Sequence, residues 1–150
     1  MTTTAPRAEG RTIALAHYAG RAVLEHVLAP ARHLSFLQSV TLRLAAIADG
    51  AVERAAVVDG VVGAVKIPES EALRAIDGLT AAGPARPEGP SALRITEAGR
   101  ELYATTTAET AVISARLYAG ISEEDRAVAG RVLTLVTERA DAELAALRRP

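Results

Sequence analysis

Three histidines, His17, His26 and His33, are the residues of this chain whose chemistry most readily suggests metal binding or acid–base catalysis. Structural zinc takes four ligands in a tetrahedral arrangement, and the chain has no cysteine to complete such a set. Pro30 interrupts the helical register between His26 and His33, and no carboxylate or nucleophile stands at a spacing typical of histidine catalysis. The sequence therefore predicts no metal site, no catalytic residues and no cofactor.

The segment 63–95 contains four basic residues, Lys66, Arg74, Arg86 and Arg94, with the hydroxyl of Ser70 among them. Each phosphate contact of a lysine or arginine adds affinity through counterion release, and a guanidinium can hold guanine with two hydrogen bonds. The basic residues of the segment 63–95 are nevertheless matched by acidic ones, namely Glu69, Glu71, Asp77 and Glu88. Ordinary solvated surface residues remain the alternative interpretation of these arginines and of Lys66.

The composition sets the class of protein. A chain of 150 residues suits one domain with added dimerisation helices, and its net charge of -1 gives nucleic-acid binding no support. Hydrophobic residues make up 49% but aromatic residues only 3%, so Ala, Val, Leu and Ile must build the core. The absence of cysteine excludes disulfides, and neither a membrane-spanning run nor a secretory signal is present. We expect a soluble, cytoplasmic protein without membrane contact.

Apolar periodicity and breaker residues predict six helices and a β-hairpin. The first three helices are expected over residues 11–29, ended by Pro30, over 34–48, closing at Asp49-Gly50, and over 55–65. The apolar face of the second helix is assigned to Leu37, Val40, Leu44 and Ile47. Pro68, in the first turn, begins a fourth helix that buries Leu73, Ile76 and Leu79 and ends at Gly83. Strands 85–87 and 92–95 then form a hairpin around a turn at 88–90.

Two long helices complete the prediction. Thr96 caps a helix that ends near Gly120, and Ser122 begins the last helix. That helix carries a broad apolar face of Val128, Val132, Leu135, Val136, Leu144 and Leu147. Because these stripes exceed what a small central domain covers, we predict that the terminal helices form a homodimer interface. Closure of a monomeric bundle by the same helices is the alternative.

The order of these parts resembles the MarR family of winged helix-turn-helix regulators. The resemblance rests on Leu79-Thr-Ala-Ala-Gly83, the hairpin, and Ile95-Thr-Glu-Ala-Gly-Arg100, which match the family pattern Leu-x-x-x-Gly, wing, Leu-Thr-x-x-Gly-Arg. Residues 119–125 look like the family's break before its final helix. The resemblance covers roughly residues 11–147 and implies a mainly α fold with a small β-hairpin. Its expected parts are a disordered tail (1–10), a dimerisation helix (11–33), the winged domain (34–95), and linker and dimerisation helices (96–150).

In the family the fourth helix enters the major groove, so the resemblance places Ser70 and Arg74 at DNA, with Lys66, Arg86 and Arg94 beside them. The sequence departs from the family at Glu71, Leu73 and Gly78, where Thr, Ser and Arg are frequent. Its wing turn, residues 86–91, lacks the usual Asp-x-Arg-x-x-Arg segment.

The resemblance also implies a ligand pocket between the dimerisation helices and the winged domain. Residues expected there are His17, Tyr18, Arg21, His33 and Phe36, an aromatic and polar mixture typical of such pockets. Plain core packing of Tyr18 and Phe36 is the alternative.

Three hypotheses for function follow from these observations. The first is a homodimeric, DNA-binding transcriptional regulator, specifically a repressor released from double-stranded DNA by a small phenolic or drug-like effector. The second is a small-molecule-binding or partner-binding protein that kept the scaffold and lost sequence-specific DNA binding. The third, an enzyme built around His17, Tyr18 and His33, has no motif in its favour, so we expect a protein without enzymatic activity.

Overall fold

The computed structural model describes residues 6–48 and 50–149, with no side-chain description for 29–32. This part of the chain contains six helices and three strands, in the order α1 (Gly10–Arg32), α2 (Phe36–Ile47), β1 (Ala51–Glu53), α3 (Arg54–Val65), α4 (Glu69–Ala82), β2 (Ala85–Glu88), β3 (Ala92–Ile95), α5 (Glu97–Leu117) and α6 (Glu123–Leu147). Two compact units share these elements: a central unit, residues 20–113, and a terminal unit made of the two ends of the chain.

The core of the central unit is aliphatic, as the composition requires. Helices α2, α3 and α4 pack on one another and on the sheet. Leu28 of α1 and Leu34, just before α2, belong to the same buried cluster as the side chains of these helices. The largest fully buried side chains are Leu28, Leu42, Ile76, Leu79, Val57, Val61 and Thr41. Thr41 is accommodated there because its hydroxyl donates to the Leu37 carbonyl, at 2.7 Å, within the same helix.

The sheet has three antiparallel strands in the order β1-β3-β2, where the sequence predicted a two-stranded hairpin. The hairpin itself is confirmed: β2 pairs with β3, with Arg86 opposite Arg94. The additional strand β1 pairs with the other edge of β3, with Val52 opposite Leu93. A three-residue strand beside a helix start carries too short an alternation to be recognised in the sequence.

The first two helices differ in detail from the prediction. Helix α1 continues through residue 30 to Arg32, so the prediction that Pro30 ends it was wrong. Proline in a helix removes a backbone donor and crowds the carbonyl four residues earlier, but its fixed φ is compatible with a helix, and residue 30 lies in the last turn of α1. The helix ends before His33, whose φ of 48° is left-handed. In helix α2, Val40 and Leu44 of the predicted face pack against the core, but the fully buried residues are Thr41, Leu42 and Ala45. Ile47, which was assigned to the same face, is 63% exposed. Asp49, part of the predicted end of α2, lies outside the described residues.

In the terminal unit, Ser122 caps α6 as predicted, because its hydroxyl accepts the Asp125 N–H at 3.0 Å. Helix α6 has no buried residue. Large apolar side chains are exposed along it, and Leu135 and Leu147, for example, are 50% and 75% exposed. The side chains of Val128, Val132 and Val136, at four-residue spacing, form an apolar stripe that this unit leaves uncovered. Among the described helices, none combines the length and hydropathy needed to cross a membrane.

Candidate nucleic-acid interface

A sharp turn separates α3 from α4. Lys66 follows α3 with φ 61° and ψ 37°, and its N–H donates to the Val62 carbonyl. A left-handed residue at this place stops a helix and redirects the chain. Pro68 occupies the N-cap of α4 with extended backbone, one residue before the first-turn position that the sequence predicted. Lys66 is exposed at this corner.

Helix α4 divides cleanly into a buried and an exposed face. Ala72, Ala75, Ile76 and Leu79 are buried, which confirms Ile76 and Leu79 as core, whereas Leu73 is only partly buried. Ser70, Arg74 and Asp77 are exposed at positions i, i+4 and i+7, so they lie along one stripe. The structure therefore presents Ser70 and Arg74 together to solvent.

Arg54, at the start of α3, is a residue of this surface that sequence reasoning missed. Its guanidinium donates to the Asp77 carboxylate of α4 at 2.6 Å. The two residues are 23 positions apart, so no local pattern relates them. The pair gives the Asp77 charge a cationic partner and thereby lessens the repulsion that Asp77 would exert on a nearby phosphate.

Gly78 is explained by packing against α2. A Cβ built at residue 78 would lie 2.4 Å from Nε2 of Gln38. Gln38 belongs to the capping box of α2: its side chain accepts the Ser35 N–H at 2.8 Å, and the Ser35 hydroxyl accepts the Gln38 N–H at 3.1 Å. The small residue at position 78 thus leaves room for the capped start of α2. The MarR family, which the sequence resembles, frequently has arginine at this position.

The wing carries a cluster of three charged side chains. Arg86 on β2 and Arg94 on β3 stand directly opposite each other, and Glu88 follows two residues after Arg86. Glu88 Oε1 accepts a hydrogen bond from Nη2 of Arg94 at 2.7 Å, and its Oε2 accepts one from Nε of the same guanidinium. Nη2 of Arg86 lies 3.4 Å from Oε2. The hydrogen bond from Arg94, together with both positive charges, lowers the pKa of Glu88 from its usual 4.5.

The base of the wing is fixed by the threonine motif. Thr96 accepts the Gly99 N–H at 3.1 Å, as an N-cap does, and its hydroxyl donates to the Gly83 carbonyl at 2.7 Å. Its backbone N–H donates to the Pro84 carbonyl at 3.0 Å. Helix α4, the hairpin and α5 are therefore tied together at one point, which sets the position of the wing relative to α4.

The expected ligand-binding residues divide between the two units. In the terminal unit, the rings of His17 and Tyr18 meet edge to face, with centroids 5.9 Å apart. In the central unit, the Arg21 guanidinium lies 4.8 Å from the centre of the Phe36 ring and also pairs with Glu25 at 2.8 Å. Tyr18 is 64% exposed, so the interpretation of this residue as core is wrong. His33 is exposed in the turn between α1 and α2.

The terminal unit contains an apolar groove of about 360 Å³ between α1 and α6. His17 contributes to its wall, with Ile13, Ala16 and Leu133 supplying most of the aliphatic surface. Over residues 6–48 and 50–149, no group of three or more His, Cys, Asp or Glu side chains is arranged to hold a metal ion.

Sequence comparison finds no protein-family model and no curated protein that matches this chain. Solved structures do match. A MarR-family transcriptional regulator from Silicibacter pomeroyi shares 22% identity at a TM-score of 0.64, over 83% of this chain and 84% of that one. CouR from Rhodococcus jostii RHA1, bound to p-coumaroyl-CoA, shares 19% at 0.72, over 85% and 90%. A SlyA-like transcription regulator from Listeria monocytogenes shares 18% at 0.76, over 95% of each chain.

This chain has the MarR winged-helix fold. In that fold α3 and α4 form the helix-turn-helix, and β2 with β3 forms the wing. The MarR wing of this chain is short: Gly89, with φ 64°, and the two residues after it make the whole turn. A glycine suits that left-handed position because it has no Cβ. The charged groups of the wing therefore sit on its strands, close to the body of the domain.

Proposed function

We propose that this chain is a DNA-binding transcriptional regulator that acts as a homodimer. The observation that carries the proposal is the exposed stripe of α4, which presents Ser70 and Arg74 side by side on a helix that begins after Pro68 and ends at Gly83. A short hydroxyl donor and a guanidinium on a rigid helix suit contacts with phosphates and base edges. The matched structures of this fold are transcriptional regulators, which favours a protein without enzymatic activity.

The second protomer is proposed from α6. A contiguous exposed apolar stripe is typical of an interaction surface, and burial in a dimer would remove Val128, Val132 and Val136 from water. A homodimer would place two copies of α4 about 34 Å apart, one turn of duplex, on a pseudo-palindromic site. This spacing would let both helices enter successive major grooves on the same side of the DNA.

The DNA affinity, measured across a series of salt concentrations, tests the proposed role of Arg74. The wild type should prefer the duplex upstream of its own gene over a shuffled duplex, with log affinity falling linearly as log salt rises. Arg74→Ala should weaken specific binding by about 1–3 kcal/mol if the side chain reads a base. Arg43→Ala, which removes the same charge from an exposed position on α2, is the control. Equal losses in the two variants would contradict the role given to Arg74.

We further propose that a small aromatic effector lowers the DNA affinity and so relieves repression. The Arg21–Phe36 pair supports this proposal, because it combines an aromatic surface with a guanidinium. Glu25 accepts from its Nε, and the terminal N–H groups of a guanidinium can pair with an anionic group. CouR, with the same fold, is bound to p-coumaroyl-CoA, whose aromatic acid, p-coumarate, is a suitable first probe. A true effector raises the melting temperature and lowers DNA affinity together, through linkage. Compounds that stabilise the protein but leave DNA affinity unchanged would contradict this part of the proposal.

A second candidate function is a small-molecule-binding or partner-binding protein that has lost sequence-specific DNA recognition. The hydrogen bonding of Arg94 by Glu88 favours it, because a guanidinium held by a carboxylate has fewer donors for phosphate. The acidic entry to α4, Glu69 and Glu71, points the same way. The same salt series separates the two functions, since this candidate predicts no sequence preference even at low salt.

A further inference from the structure

The outward face of the sheet is unusual in its charge pattern. Arg86 and Arg94 are direct cross-strand partners, and like charges in that arrangement destabilise a hairpin. Glu88 on β2 and Glu53 on β1 both pair with Ala92, so they lie on the same face on either side of β3. The four side chains sum to zero formal charge, and Glu88 is the carboxylate that forms ion pairs with both arginines.

Glu88 binds Arg94 through two parallel hydrogen bonds, as a phosphate would. A carboxylate and a phosphate both take two parallel N–H groups from a guanidinium. Glu88 accepts hydrogen bonds from Nε and Nη2 of Arg94, so this pair of donors is already occupied. The side chain of Arg94 is 36% exposed and that of Glu88 33%, so both can still be reached by DNA at the surface of the wing.

We propose that Glu88 is a positioning residue that limits DNA binding by the wing: it competes with the phosphate backbone for Arg94 and holds Arg86 close to the same carboxylate. This proposal rests on the proposed function, because its target is duplex DNA. With Glu88 ionised, the Arg86–Glu88–Arg94 cluster carries a net charge of +1 and supplies about one phosphate contact where two arginines would supply two. Glu88 thereby lowers non-specific affinity and leaves discrimination to α4.

The test is Glu88→Gln, measured on the duplex upstream of the gene and on a shuffled duplex across a salt series. The affinity for both duplexes should rise by about 3- to 10-fold at low salt, and the slope of log affinity against log salt should steepen by about 0.9, as one added phosphate contact requires. Glu53→Gln is the matched control, since it removes the same charge from the same face but from the strand beyond Arg94. Its slope should equal that of the wild type.

A second comparison asks whether Glu88 acts through the arginines. In an Arg86→Ala/Arg94→Ala background, the addition of Glu88→Gln should leave affinity and slope unchanged. Glu88→Ala serves as the alternative variant, and thermal unfolding shows which of the two variants retains the folded wing. An effect of Glu88→Gln that persists in the double-alanine background, or that Glu53→Gln reproduces, would overturn the inference.

The outcomes separate this inference from the proposed function. A wild type that prefers the upstream duplex, with no gain in the Glu88 variants, overturns the inference alone. A steeper slope for Glu88→Gln without sequence preference in any variant supports the inference and overturns the proposed regulator. No binding of wild type or variants to either duplex at low salt overturns both.

Discussion

Among the described glycines, Gly99 has the least space for a side chain. A Cβ at this position would lie 2.0 Å from the Pro84 carbonyl oxygen and 2.8 Å from Cγ1 of Ile95. The carbonyl of Pro84 cannot move away cheaply, because it already accepts the N–H of Thr96. The close approach explains why glycine follows Thr96 by three residues: α5 must start in direct contact with the residue that leads into the wing.

Gly99→Ala should therefore destabilise the protein by about 1–3 kcal/mol through overpacking. Gly63→Ala is the control, because a Cβ at position 63 in α3 meets nothing within 4 Å. That substitution should stabilise the protein by roughly 0.5–1 kcal/mol, since alanine is the better helix former. Chemical denaturation measures the change in the free energy of unfolding for both variants. A Gly99→Ala protein as stable as the wild type would contradict the close contact between Gly99 and Pro84.

Glu88 makes the stability of the wing depend on pH. Its pKa is lowered in the folded protein, chiefly by the hydrogen bond from Arg94, so its contribution is present above the usual value of 4.5 and is lost as pH falls through the lower folded value. The charged groups on its face of the sheet are Arg86, Arg94 and Glu53.

The difference in melting temperature between wild type and Glu88→Gln should accordingly be largest near neutral pH and shrink below about pH 4. Differential scanning calorimetry across this range measures it. A difference that is constant from pH 7 to pH 3 would mean that the substitution acts by packing rather than through the ionised carboxylate.

At the scale of elements, the sequence predicted well wherever one residue type decides the backbone. Gly83, with φ 101°, ends α4, and Thr96 and Ser122 cap the two long helices, as expected. Features that depend on pairing between distant segments could not be predicted from the sequence. Strand β1 exists only through its register with β3, and the Arg54–Asp77 bond joins residues from two helices.

The candidate site divides in the same way. Exposure of Ser70 and Arg74 follows from helical periodicity, so it was predictable. The bond between Glu88 and Arg94 required the strand register, and the sequence offered only a count of charges. The proposed ligand-binding set was drawn from a resemblance, and its residues remain predictions.

The apolar stripe of α6 is the proposed homodimer interface, so a charge placed on it should disrupt the dimer. Val136→Glu places a carboxylate on the apolar stripe, where Val136 is 42% exposed, and should shift the protein towards monomer. Thr134→Glu adds the same charge about 160° around the helix and is the control. Sedimentation equilibrium should give twice 15.6 kDa for the wild type and the control, and less for Val136→Glu. A wild type that sediments as a monomer at micromolar concentration would contradict the interface.

At the scale of the whole molecule, we propose that two protomers present two copies of α4 to one duplex. The two compact units of each chain would then have different tasks: the central unit, with α4 and the wing, would contact DNA, and the terminal unit, with the exposed apolar stripe of α6, would contact the second protomer. Since each winged domain alone has few cations, affinity must come from joining two of them, through the gain in effective concentration.

Hydroxyl-radical footprinting on the DNA upstream of the gene tests this claim most directly. We predict two protected patches on one face of the duplex, centred one helical turn apart, about 34 Å. Both patches should disappear together in Val136→Glu at concentrations where the control Thr134→Glu still protects the DNA. A single protected patch, or uniform protection without a preferred position, would contradict the account.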